Sequence, residues 1–189
     1  FGLQNRIFKQ KKKLLKKGCL IAIVGSDGSG KSTLSSLLKD KLSEEIEVRE
    51  IHFGKPPATI FTYPLRLFIK IYRLKNLLLK KNSSLVNKKI RNYSFLTSIR
   101  YLILAFERKI LLNNALSDIK KGKIIICNRI NSKNFGVMDS PRLNPKYAKN
   151  KFEEFLSKME SNFYETMPIP EILIKLNVPL KDLQLRNRK

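Results

Sequence analysis

The sequence predicts an α/β fold in which a parallel sheet is flanked by helices. Four short segments have the length and the β-branched composition of strands, and most of them read as continuous apolar runs. These segments are Cys19–Val24, Val48–Phe53, Ile124–Cys127 and Ile172–Leu176. Helical patterns separate them, and strands that alternate with helices are typical of βαβ units and a parallel sheet.

The helices are predicted from apolar residues that recur with helical spacing between these strands. They cover about Lys31–Ser43, Pro64–Lys81, Phe95–Lys121 and Lys146–Glu160. Pro179 suits the first turn of a closing helix, because its missing N–H group is not needed there. A polar loop with prolines is expected between Asn128 and Pro145.

The charge of the chain is its most unusual bulk property. The 189 residues include 39 Lys and Arg against 15 Asp and Glu, which gives a formal net charge of +24. Such a charge favours nucleotide phosphates, nucleic acid or an acidic membrane surface. Because the lysines are spread along the chain, a genome rich in A·T pairs is an equally good explanation. No nucleic-acid-binding module is recognisable, so no specific nucleic-acid partner is predicted.

Residues 1–18 differ from the rest of the chain in composition. Residues 4–17 mix four large apolar side chains with seven Lys or Arg, a pattern that favours a basic helix ending at Gly18. We expect a helical extension packed at the domain edge, or a linker. Contact of residues 4–17 with an acidic membrane surface is a weaker alternative.

Cysteine usage and hydropathy indicate an intracellular setting. Cys19 and Cys127 are the only cysteines, and both lie in apolar segments. Their separation fits neither a metal site nor the disulfide framework of a small secreted protein. No apolar run reaches the length of a transmembrane helix. We therefore expect buried, reduced thiols in a cytoplasmic protein.

One glycine-rich segment carries the most specific chemical signal. Gly25–Ser32 reads Gly-Ser-Asp-Gly-Ser-Gly-Lys-Ser and matches the phosphate-binding pattern G-x-x-x-x-G-K-[ST] at every fixed position. It follows a predicted buried strand and opens a predicted helix, which is the context this P-loop requires. Residues 19–189 are therefore expected to form the three-layer fold of P-loop nucleoside triphosphate hydrolases.

Each position of the loop has a chemical reason. Gly28 and Gly30 permit backbone conformations that point consecutive N–H groups at one anion, and the helix N-terminus adds more. Lys31 supplies a cation for the β- and γ-phosphates, while Ser32 can ligate magnesium. ATP and Mg²⁺ are the predicted cofactors. The predicted nucleotide-binding residues are Gly25, Ser26, Asp27, Gly28, Ser29, Gly30, Lys31, Ser32 and Thr33, the last placed for the α-phosphate.

The loop, with Asp27 before Gly28, resembles that of the thymidylate kinase family and especially of the thymidylate kinase-like proteins of bacteria. Further segments follow in the same order as in that family. They are His52–Pro56 after the second strand, Ala105–Arg108 on the long helix, and Ile124–Arg129 in place of a strand ending in Asp-Arg. Towards the end of the chain, Pro168–Glu171 resembles the family's Pro-x-Pro-Asp strand, and Arg186–Lys189 resembles the start of its mobile lid. The resemblance covers about residues 19–189.

The resemblance implies an ATP-dependent phosphotransferase of the nucleoside-monophosphate-kinase type. Its acceptor would be a small molecule, thymidylate or a related phosphorylated metabolite. The catalytic residues would be Lys31, Arg129, Arg186 and Arg188, and the acceptor-binding residues Asp27, His52, Lys55, Arg108 and Arg129. The lid is expected to be incomplete at the C-terminal end, and we leave a homodimer open.

Asn128 departs from the family pattern, which has Asp at this place before Arg129. Asn keeps the shape and the carbonyl oxygen but loses the charge near the magnesium site. Asp139 on the following loop is a candidate for the missing acid. The alternative hypothesis is a catalytically weakened nucleotide-binding regulatory module. The chain also lacks the family's Arg-Glu-Pro-Gly-like stretch after the second strand, so the resemblance does not name thymidylate as the acceptor.

Overall fold

The computed structural model describes residues 12–14, 17–60, 62–79, 95–132, 138–148, 150–179 and 181. The chain divides into two units. The first contains Phe1–Lys55, Leu111–Ile130 and Pro168–Lys189, and the second contains Pro56–Ile110 and Asn131–Met167. One long helix, α3 (Phe95–Lys120), contributes residues to both units.

The first unit is built on a four-stranded parallel sheet. Its strands are β1 (Leu20–Gly25), β2 (Val48–His52), β3 (Ile124–Asn128) and β4 (Ile172–Leu176). They lie in the order β2-β3-β1-β4, so β1 pairs with both β3 and β4. The parallel sheet expected from the sequence is confirmed, and each strand lies within one residue of its expected bounds.

Both faces of this sheet are covered by apolar side chains. Helix α1 (Lys31–Ser43) packs three partly buried leucines, spaced four residues apart, against four buried isoleucines of β1 and β3. The residues in contact are Leu34, Leu38 and Leu42 with Ile21, Ile23, Ile124 and Ile126. Because side chains alternate along a strand, Leu20 and Ile125 face the opposite way, and they are fully buried too. This arrangement confirms the predicted α/β fold with helices flanking the sheet.

The helix predicted over residues 4–17 is wrong at the residues described there. Residues 12–14 and 17 are not helical, and Lys12 forms a parallel bridge with Ile46. Its N–H donates to the Glu45 carbonyl (3.0 Å), and it accepts from the Glu47 N–H (3.1 Å). Gly18 does not end a helix, and its N–H donates to the Ile119 carbonyl (2.8 Å). Lys12 and Gly18 are therefore bonded to other parts of the first unit, while residues 1–11, 15 and 16 lie outside the described part.

The second unit contains helix α2 (Tyr63–Leu79), the beginning of α3, a 3₁₀ turn (Pro145–Tyr147) and helix α4 (Lys151–Glu165). The helix predicted near Lys146–Glu160 is present, but it begins and ends five residues later. Asn150 explains the shift, because its side chain accepts a hydrogen bond from the Glu153 N–H (2.8 Å) and caps the helix there. Pro179 itself is exposed and not helical, Lys181 is helical, and the rest of the predicted closing helix lies outside the described residues.

Two bulk expectations concern cysteines and membrane spans. Cys127 is buried and its thiol donates to the Arg129 carbonyl (2.8 Å), whereas Cys19 is only partly buried, so the expected burial is wrong for Cys19. Burial and the nearby Glu171 carboxylate raise the pKa of the Cys19 thiol.

Within the described ranges, no helix is both long enough and apolar enough to cross a bilayer.

Candidate nucleotide-binding site

The glycine-rich loop connects the carboxyl end of β1 to the first residue of α1. Gly28 and Gly30 adopt left-handed conformations (φ 81° and 89°), which a residue with a side chain adopts only with strain. Gly30 is the N-cap residue of α1, and no side chain among the described residues caps the helix there. The first backbone N–H groups of α1 therefore remain available to a ligand. Unpaired N–H groups at a helix N-terminus attract anions, and this loop therefore has the form of a phosphate site.

Lys31 is the buried cation of the loop, with only 7% of its side chain exposed. Its ammonium group donates to the carbonyl oxygens of Gly25 (2.9 Å) and Ser26 (2.5 Å). It also lies 3.8 Å from an Asp27 carboxylate oxygen. The loop thus folds around the ammonium group, which places a fixed positive charge beside the helix N-terminus.

Ser32 and Asn128 bring two neutral oxygens together. The Asn128 amide nitrogen donates to the Ser32 hydroxyl oxygen (3.1 Å) across the gap between β3 and α1. Asn128 is buried, and among the described residues its carbonyl oxygen Oδ1 has no hydrogen-bond partner. The Ser32 side chain is exposed. An unpartnered amide oxygen beside a hydroxyl fits magnesium, which prefers oxygen ligands and keeps several waters or phosphate oxygens.

The described residues offer no richer metal site, since they contain no group of three or more His, Cys, Asp or Glu able to hold an ion. A metal at this place would therefore take few ligands from the protein and the others from phosphate and water, as magnesium does in nucleoside triphosphate sites.

Arg129 closes the carboxyl end of β3 next to the loop. Its backbone has a left-handed conformation (φ 73°), and its N–H donates to the Ile23 carbonyl (3.0 Å). The guanidinium group donates to the Asp27 carboxylate (2.6 Å), whose side chain is 63% exposed. Asp27 therefore lies between two cations, Arg129 and Lys31.

These residues line one polar cavity of about 340 Å³ in the first unit. Its walls are formed by Asp27, Gly28, Gly30, Lys31, Ser32, Thr33, His52, Asn128 and Arg129. His52 enters from the end of β2, and its buried Nδ1 has no hydrogen-bond partner within the described structure. The carboxyl ends of three neighbouring parallel strands thus converge on the loop, which is where ligands bind in open α/β sheets.

Other predicted site residues lie elsewhere. Lys55 is exposed on the turn after β2 and is not part of the cavity wall. Gly25, Ser26 and Ser29 support the loop without lining the cavity. The two predicted lid arginines, Arg186 and Arg188, lie outside the described residues.

Arg108 lies in the second unit, within a buried polar cluster. Its guanidinium donates to the Asp139 carboxylate (2.6 Å) and to the Tyr164 hydroxyl (2.6 Å). The Arg108 and Asp139 side chains are only 6% and 7% exposed. The charge that the resemblance assigns to an acceptor phosphate is therefore neutralised by a carboxylate. Asp139, in turn, is paired with Arg108 rather than being an unpaired acid.

The sequence reasoning missed the partners of this cluster on α4. Burial raises the pKa of the Glu160 carboxyl, although the Leu143 and Arg142 N–H groups donate to it. Burial also raises the pKa of the Tyr164 hydroxyl, although the nearby Arg108 guanidinium acts to lower it. Glu160 and Tyr164 are spaced i,i+4 on the buried face of α4, and this spacing is the one signal that the sequence contained for them.

The chain was compared with protein-family models, curated proteins and solved structures. No protein-family model matches the chain. The chain is 24% identical over 166 residues to the uncharacterized ATP-binding protein YghR of Escherichia coli K12, and a second E. coli strain, O6:H1, has an equally similar protein. The match covers 86% of this chain and 66% of the relative, so the chain spans slightly less than two thirds of the relatives' length.

Two thymidylate kinases are among the similar solved structures. The enzyme from Candida albicans gives a TM-score of 0.47 at 21% identity, covering 89% of this chain and 66% of that one. The enzyme from Ehrlichia chaffeensis gives 0.44 at 19% identity, covering 91% and 83%.

Proposed function

We propose that the chain is an ATP-dependent phosphotransferase of the nucleoside-monophosphate-kinase type, which transfers the γ-phosphate to a small acceptor. One observation carries the proposal: Lys31, Ser32 and Asn128 line the same polar cavity at the mouth of a glycine loop and a helix N-terminus. The similarity to a protein named as ATP-binding supports the choice of nucleotide.

The proposed mechanism depends on positioning and charge neutralisation, since phosphoryl transfer requires no covalent protein intermediate. The loop N–H groups hold the phosphates. The Lys31 ammonium exchanges its two carbonyl partners for β- and γ-phosphate oxygens, which its flexible side chain allows. Ser32 and Asn128 are the residues that would hold magnesium, which neutralises phosphate charge when bound.

The acceptor is proposed to bind beside Asp27, His52 and Arg129 at the other side of the cavity. Asp27 is largely exposed, so an incoming anion can displace its carboxylate from Arg129. The acceptor class is thymidylate or a related phosphorylated metabolite, and Arg186 and Arg188 belong to the proposed lid. Arg108 is not needed in this proposal, because Asp139 already balances its charge.

The direct test measures transfer from γ-labelled ATP with magnesium to a panel of nucleoside monophosphates and phosphosugars. We expect transfer to at least one acceptor, and a loss of about 100-fold or more in Lys31→Ala, the scale for removing one preorganised charge-stabilising group. Lys39→Ala is the matched control, because this exposed lysine lies on the same helix and outside the cavity. Equal transfer by the wild type and Lys31→Ala would contradict the proposal.

A second candidate function is a nucleotide-binding regulatory module with weakened catalysis. Asn128 favours it, because an uncharged amide stands where the resemblance has a carboxylate. This candidate predicts ATP binding with negligible turnover, and a gain of turnover in Asn128→Asp. Turnover by the wild type at ordinary kinase rates, about 1–100 s⁻¹, would exclude it.

A further inference from the structure

Helix α2 in the second unit presents an apolar stripe to solvent. At 100° of rotation per residue, the members of the stripe fall within an arc of about 140° around the helix axis, so they share one side of the helix. They are Tyr63, Leu67, Phe68, Ile71 and Leu74, each between 47% and 62% exposed. The opposite side is tied into the unit by the buried Ile69 and by Arg66, which pairs with the buried Glu107. A solvated helix face normally carries charged residues, so this stripe requires an explanation.

The sequence segment that contains this stripe carries charge of one sign. Between residues 51 and 106 the sequence contains no Asp or Glu, although Lys and Arg occur eleven times. Lys70 is exposed and lies at the edge of the stripe, about one turn of helix before Leu74 and about two turns after Tyr63. An apolar face with a basic residue at its edge, on a segment without acids, is the form of a helix that lies in the interface of an anionic membrane.

We propose that α2 docks on an anionic lipid bilayer, with its apolar stripe inserted among the acyl chains and Lys70 near the headgroups. A second copy of the same face would bring two acid-free basic segments together, and such like-charge juxtaposition opposes self-association. Nucleic acid would satisfy the charge but would leave Leu67, Ile71 and Leu74 without an apolar partner. Of these three occupants, the lipid surface matches both properties of the face. In this proposal α2 lies along the surface of the bilayer and does not cross it.

The test uses tryptophan fluorescence, because the natural chain contains no Trp. Phe68→Trp places the single reporter in the stripe, and Leu67→Trp gives a second reporter at a neighbouring position. The matched control is Leu37→Trp, which replaces a leucine of similar exposure on α1. Each full chain is titrated with vesicles of pure phosphatidylcholine and with vesicles that contain 30% phosphatidylserine, at low and high salt.

We expect a blue shift of the emission of the α2 reporters with anionic vesicles alone, reduced at high salt, and no shift for Leu37→Trp. Adding Lys70→Glu or Ile71→Asp to the reporter should weaken partitioning by about tenfold, because each removes one of the two contributions to binding. Equal shifts with both vesicle types would overturn the proposal. No shift with either vesicle type would overturn it as well, as would a concentration-dependent shift without lipid, which reports self-association.

Discussion

Two arginines of this chain each pair with an aspartate at 2.6 Å, yet their surroundings give them different roles. The Arg108 and Asp139 side chains are almost completely buried, so separating them would leave an uncompensated charge in a poorly hydrated place. The Arg129 partner, Asp27, is mostly exposed, and exposed pairs contribute little and exchange easily. Arg129 is therefore suited to bind a ligand anion, whereas Arg108 is held in a buried ion pair within the second unit.

The buried pair of Arg108 with Asp139 can be tested by removing its cation. Arg108→Leu should lower the free energy of unfolding by about 3–5 kcal/mol, because it leaves the Asp139 carboxylate buried without a cation. Combining it with Asp139→Leu should restore part of that loss. Chemical denaturation measures both variants, with Lys158→Ala as a control that breaks an exposed pair and costs at most about 0.5 kcal/mol. A stable Arg108→Leu variant with lost phosphotransfer would instead assign Arg108 to the acceptor.

The sequence permits prediction of the site residues whose roles depend on their immediate neighbours. Gly28, Gly30, Lys31 and Ser32 act through the local loop geometry, so a pattern of eight residues is sufficient to find them. The pairing of Arg108 with Asp139 joins residues 31 positions apart, and no local pattern contains that information. For the same reason, only the structure shows that the buried side-chain oxygen Oδ1 of Asn128 has no hydrogen-bond partner among the described residues.

At the scale of elements, the periodic segments were predictable and the irregular ones were not. Helix α1 has a periodic pattern because one of its faces is buried, and β1 and β3 read as apolar runs because both of their faces are buried. The basic segment before β1 has a helix-compatible composition, but Lys12 is extended because its backbone bonds to Glu45 and Glu47. Tertiary hydrogen bonds here override local propensity, which is a weak determinant of structure.

A prediction at this scale concerns Gly18, where the segment before β1 meets the beginning of β3. A Cβ atom at this position would lie 1.6 Å from the Lys123 carbonyl oxygen, so any side chain forces two backbones apart. Gly18→Ala should lower the free energy of unfolding by about 1–3 kcal/mol, as overpacking does. Gly54→Ala is the control, since its nearest atoms are side-chain atoms at least 3.1 Å away. Equal thermal midpoints for the two variants would refute the role of this close approach.

At the scale of the whole molecule, the acidic residues are too few to balance the basic ones. In the first unit, single carboxylates form ion pairs with two basic residues each. Glu47 pairs with Lys13 and Lys123. Asp118 pairs with Arg49 and Lys123. The hydrogen bond from Arg49 is the largest influence that lowers the pKa of Asp118. With a net charge of +24, most lysines repel one another, and this repulsion destabilises the compact state.

Salt should therefore stabilise the fold, because added ions screen repulsion between exposed charges. If raising NaCl from 20 to 300 mM contributes about 1 kcal/mol, the thermal midpoint rises by roughly 2–4 °C in a chain of this size. Differential scanning calorimetry measures it, and a flat or falling midpoint would contradict the charge argument. Pyrophosphate at equal ionic strength should raise the midpoint further by occupying the glycine loop. Lys31→Ala should lose this additional rise and retain the response to NaCl, which separates binding at one site from screening of the whole surface.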